Sequence, residues 1–61
     1  MSRKNQVKIA LIQKEWSQRE LARQMGITMS YLQDILNGYR NPEERLKQIE
    51  ELLGIGLERS K

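Results

Sequence analysis

The chain has no cysteine, no histidine and no phenylalanine, a single proline, and only three aromatic residues in 61. Without cysteine, neither a disulfide framework nor a thiolate zinc site can supplement the core, and without histidine the usual neutral metal ligand and general base is missing. No apolar run approaches the roughly 18 to 20 residues of a membrane span, and Met1-Ser2-Arg3-Lys4-Asn5 leads into no signal-peptide core. The expectation is a soluble protein of the cytoplasm or nucleoid. A chain this short removes only about 60% of its unfolded surface from water, which allows one small core and excludes a multi-domain enzyme. A nucleophile cannot be assembled with its base from the residues that remain, and Glu43-Glu44 and Glu50-Glu51 read as helix-start and solvent charges. No catalytic residue, metal, cofactor or small-molecule substrate is expected.

What is present favours helices. Gln, Glu, Lys, Arg, Leu and Ile dominate, and these side chains lose little rotamer freedom in a helix, so the fold class is all-α. Eleven Lys and Arg oppose eight Asp and Glu, a net +3. The excess is concentrated at the front: residues 1–40 hold seven basic and three acidic residues, residues 41–61 four and five. A basic front fits a polyanionic partner, and equally a solvated helix surface.

Three breaks divide the chain: Trp16-Ser17, Met25-Gly26-Ile27-Thr28, and Asn37-Gly38 through Pro42. The first helix is expected over residues 5–15, with Val7, Ala10, Leu11 and Lys14 on one stripe and Ile9 and Ile12 broadening it. Arg3 and Lys4 precede it as a flexible basic arm or a solubilising terminus. Ser17 and Glu20 have the spacing of a capping box, with Trp16 and Leu21 as its hydrophobic staple. The second helix then runs over residues 18–25 and stops at Gly26, which tolerates the left-handed conformation. Thr28 caps a third helix that buries Leu32, Ile35 and Leu36 and closes at Asn37-Gly38. Asn41 as cap, Pro42 at the first helical position and Glu43-Glu44 near the positive dipole end start a fourth, with Leu46, Ile49, Leu52 and Leu53 inward. Residues 58–61 are expected to fray.

Helices two and three are too short to be stable alone, and the link through Gly26 forces them to cross steeply. The stretch Gln18-Arg-Glu-Leu-Ala-Arg-Gln-Met-Gly-Ile-Thr-Met-Ser-Tyr-Leu-Gln-Asp-Ile-Leu-Asn-Gly38 resembles the helix-turn-helix of the phage repressor and Cro family of DNA-binding proteins. Its hallmarks are Gln18 opening the second helix, Leu21-Ala22 at the crossing, Gly26 in the turn, and Leu32 and Ile35 on the buried side of the third. The likeness extends over about residues 5–55 and implies one lambda repressor-like domain of four to five helices spanning residues 1–61, its helix-turn-helix at 18–38.

With Leu32, Ile35 and Leu36 inward, the third helix presents Met29, Ser30, Gln33, Asp34 and Asn37 outward. The resemblance implies that this face enters the major groove of double-stranded DNA and that Met29, Ser30, Gln33 and Asp34 touch bases. Gln33 suits an adenine edge, Ser30 either sense, and Met29 a thymine methyl. Asp34 is an acceptor for cytosine N4–H, a partner of Arg40, or a support for Gln33. The expected phosphate contacts are Ser17 and Gln18 at a helix N-terminus, Tyr31, and Asn37, Tyr39 and Arg40 after the recognition helix. Tyr31 has partial core packing as its alternative role, and Arg19 and Arg23 read as solvated charge.

One recognition helix covers only a half-site, so a homodimer on a palindrome is expected. The resemblance implies that the larger repressors dimerise through a separate C-terminal domain, and no counterpart of it is expected here. Ile55 and Leu57 are therefore the candidates for a small dimer contact, although Ile55 can also fold back on the core. The resulting expectation is a Cro-like or repressor-like regulator of transcription. The competing reading is a protein-interaction module of antitoxin, antirepressor or recombination-accessory type, prompted by the apolar and acidic mix of Met29, Tyr31 and Asp34.

Overall fold

Three hydroxyl side chains set where helices begin. Ser2, Ser17 and Thr28 each hold an extended backbone and accept the amide N–H three residues on, at 3.2, 3.0 and 3.1 Å. Such a cap satisfies a first-turn donor that the helix itself leaves open, typically contributing about 1 kcal/mol. A computed structural model describes residues 2–57. They form α1 (Arg3–Lys14), α2 (Gln18–Met25), α3 (Met29–Leu36) and α4 (Glu43–Leu53), with no strand among the described residues. Residues 54–57 add no fifth helix, and the fraying expected of residues 58–61 lies outside the described part.

The core is one cluster drawn from all four helices, with Val7, Leu21, Leu32, Ile35, Leu46 and Ile49 fully buried. α1 and α2 each pack on both α3 and α4. Ala22, also buried, adds almost no bulk to the face that α2 turns to the core, and α2 packs on α3. Gly26 ends α2 at φ 72°, in the region that a side chain disfavours, and Thr28 restarts the chain as α3 two residues later. No helix among the described residues is long and apolar enough to cross a membrane.

Several expectations need correction. α1 begins at Arg3, because Ser2 caps it, so Arg3 is no part of a free arm: it is 8% exposed. Ile9 and Ile12, expected to widen the buried stripe, are 45% and 75% exposed, since Val7, Ala10 and Leu11 already fill the face that meets α3 and α4. Only half of the capping box forms. Ser17 caps the Glu20 amide, but the Glu20 carboxylate turns outward to Gln24 (2.7 Å) and Arg23 (3.1 Å). Those two contacts, Gln24 first, hold it below the usual carboxylate range. Asn41 does not cap α4. Pro42 occupies that position without a side-chain bond, and the Asn41 amide faces Gly38 and Arg3.

Glu15 was not singled out by the sequence, yet it closes α1 in the left-handed region at φ 60°. A non-glycine residue there costs about 1–2 kcal/mol, part of which a glycine gives back through its freer unfolded state. Glu15→Gly is expected to stabilise the fold by about 0.5–1 kcal/mol, raising the melting temperature by roughly 2–8 °C. A thermal melt showing no rise would mean that Glu15 carries no strain.

Candidate nucleic-acid interface

The outward face of α3 follows from its inward one. Leu32, Ile35 and Leu36 are buried, so the residues between them, Gln33 and Asp34, are only half-covered, while Ser30 and Asn37 are exposed. Met29, 36% exposed, offers an apolar surface at the start of the helix. These are the positions that reach a groove if α3 is the reading element.

Gln33 does not stand alone. Its Nε2 donates to Gln18 Oε1 across the helix-turn-helix joint, fifteen residues apart in sequence. An amide carries two N–H donors and one carbonyl, so this bond leaves Gln33 with one N–H and its Oε1, the pair that matches adenine N7 and N6–H. The same bond leaves the Gln18 amide N–H groups directed away from its acceptor. Gln18 is the first residue of α2, whose opening turn has its third amide capped by Ser17 and its fourth bonded to the Ser17 carbonyl at 3.1 Å. The N–H groups of Gln18 and Arg19 are the ones left at the positive end of the helix dipole, a fitting place for a phosphate. Lys8 lines a groove of about 200 Å³ with Trp16 and Gln18 at this same corner. The sequence offered no reason to single it out, because its helix face depends on how α1 docks.

Asp34 and Tyr31 both meet Arg40. The Arg40 Nε donates to Asp34 Oδ2 at 3.2 Å, and its guanidinium lies 5.6 Å from the centroid of the Tyr31 ring. Of the roles open to Asp34, pairing with Arg40 is the one this geometry contains. Tyr31 is half-buried against the core, so its ring forms a shelf for the guanidinium. An exposed pair of this kind contributes about 0–1 kcal/mol, so Arg40 can exchange the carboxylate for a phosphate at little cost. The turn that brings Arg40 back over α3 depends on Gly38 at φ 84°, after which the Tyr39 and Arg40 amides both donate to the Asp34 carbonyl, at 2.9 and 3.3 Å. Tyr39 itself is strongly exposed, and Asn37 Oδ1 accepts from Lys4 Nζ at 3.5 Å. Arg23, paired with Glu20, faces solvent as expected.

The two residues expected at a dimer contact are largely enclosed by their own chain. Leu57 is 8% exposed, its amide donates to Glu50 Oε2 at 2.7 Å, and Ile55 packs half-buried against the core. Among the described residues, no cluster of His, Cys, Asp or Glu could hold a metal.

No curated protein and no solved structure matches the chain significantly. A family model does, over residues 7–59, from the first residue of the buried apolar α1 stripe to beyond Leu57, and its description is helix-turn-helix. With two short helices packed on each other, a glycine turn and an exposed α3 face already in place, the chain belongs to the helix-turn-helix family of phage-repressor and Cro type, a family of DNA-binding regulators.

Proposed function

We propose that the protein is a sequence-specific repressor of the Cro kind, which reads a palindromic operator through the major groove and acts by occluding a promoter. The observation that carries this reading is the Gln18–Gln33 bond: it joins a residue at a phosphate-ready helix end to one on the reading face. Such a bond fixes where the reading amide stands relative to the backbone of the duplex. Met29, Ser30 and Gln33 read bases, with Asp34 joining them once Arg40 turns to the backbone. Ser17, Gln18, Tyr31, Asn37, Tyr39 and Arg40 hold phosphates. The pairing of Asp34 with Arg40 also removes much of the acidity that made this face look suited to a protein partner.

Two copies bind, one to each half-site, and pair on the DNA rather than strongly in solution, because Leu57 is committed to the core and only part of Ile55 is left for a neighbour. Selection from a random duplex pool tests the whole reading. The expected result is one palindrome with half-sites about 10 base pairs apart and an affinity that falls steeply with salt. Equal affinity for random duplex would overturn it. An unchanged DNA affinity when Ser30 and Gln33 are both replaced by Ala would point to a protein-binding module instead.

A further inference from the structure

Arg3 occupies a position that its own helix disfavours. It lies in the first turn of α1, where the helix dipole is positive and no acidic side chain offsets it. Its guanidinium instead reaches the far end of α3, whose last turn has no basic residue of its own. There Nη1 donates to the Ile35 carbonyl at 2.8 Å and to the Arg40 carbonyl at 3.4 Å, and Nη2 donates to Asn41 Oδ1 at 2.8 Å. The Asn41 amide in turn donates to the Gly38 carbonyl at 3.4 Å. One buried side chain thus ties the end of the recognition helix to both sides of the loop at residues 37–41.

We infer that Arg3 is a positioning residue for phosphate binding: it holds the loop carrying Asn37, Tyr39 and Arg40 in register with α3, and its docking sets Lys4 beside Asn37 as a further phosphate contact. This rests on the DNA-binding reading proposed above. α4 opens at Pro42 with no side-chain cap, so the Arg3 fork works beside the Asp34 contacts of Tyr39 and Arg40 in fixing the loop, and it alone among these contacts ties the loop to α1 through a buried side chain. A planar fork is what the arrangement needs, because three acceptors lie in different directions around one group. A lysine keeps the charge but has no fork.

The test compares Arg3→Lys with the wild-type chain by amide hydrogen exchange and by DNA binding. Local opening predicts that exchange at Gly38, Tyr39 and Arg40 rises about tenfold in Arg3→Lys, with Leu21 and Leu46 unchanged. Affinity for the selected operator and for random duplex should fall alike, by about fivefold, as expected of a phosphate contact rather than a base contact. Lys4→Gln should leave exchange unchanged and lower the salt slope by about one. Wild-type behaviour of Arg3→Lys would show that only its charge matters and would overturn the inference. So would a rise in exchange shared by the core, or a loosened loop with undiminished binding. If the wild-type chain binds no DNA, the proposed function fails, and the exchange comparison still decides whether the Arg3 clamp exists.

Discussion

Gln33→Ala is expected to lower affinity for the selected operator by about ten- to a hundredfold, the equivalent of the roughly 1–3 kcal/mol carried by one bidentate base contact. Affinity for random duplex should stay within about twofold, because the proposed phosphate contacts, which would supply non-specific binding, are untouched. The fold should survive, since Gln33 is half-exposed and its neighbours Leu32 and Ile35 retain their packing. The second arm is a double-mutant cycle with Gln18. If Gln18 acts by holding the reading amide, Gln18→Ala will cost operator affinity in the wild-type background and much less once Gln33 is gone. Competition binding at one fixed salt concentration measures all four proteins. Parallel losses on operator and random duplex for Gln33→Ala would remove Gln33 from the reading set, and strict additivity would separate the two glutamines.

The features that the sequence announced are those whose physics is local. A hydroxyl three residues before the amide it caps, a glycine that takes a positive φ, and the inward spacing of Leu32, Ile35 and Leu36 all depend on a few consecutive residues, and each stands as expected. Most of the errors fall where a distant element decides. Ile9 and Ile12 are as apolar as Val7 and Leu11, and only the docking of α1 on α3 and α4 leaves them outside. Asn41 has the chemistry of a helix cap, but Arg3 and Gly38, reached through the tertiary fold, claim its side chain. In the candidate interface, the separate positions of Gln18 and Gln33 were legible and their bond was not, because the packing of α2 on α3 creates it. The pairing of Asp34 with Arg40 could be foreseen only as one of several options, because it needs the return turn at Gly38. Three local features are exceptions: Ser2 caps α1 three residues before the Asn5 amide, the Glu20 carboxylate takes Gln24 and Arg23 in place of the Ser17 amide, and the left-handed Glu15 lacks the glycine that would have marked it.

Leu32→Ala should do the reverse of Gln33→Ala, removing stability while sparing the reading face. Leu32 is fully buried in the joint of the helix-turn-helix, and truncating such a leucine costs about 2–5 kcal/mol through lost burial and the cavity left behind. A core in a chain of this size supplies about 3–5 kcal/mol in all, so the variant should be largely or half unfolded at 25 °C without ligand. Its helicity is then coupled to DNA. Operator at about a hundred times the dissociation constant adds about 2.7 kcal/mol to the folded state, enough to restore most of the helical signal. If about half of the free chains are folded, the apparent affinity falls only about twofold, while the preference among bases is unchanged. Circular dichroism with and without operator, alongside competition binding, reads both quantities on one sample. A wild-type melting curve for Leu32→Ala would mean that the joint does not depend on this side chain. A changed base preference would mean that the core and the reading face are not separable, as the burial of Leu32 beneath an exposed Ser30 and a half-exposed Gln33 requires them to be.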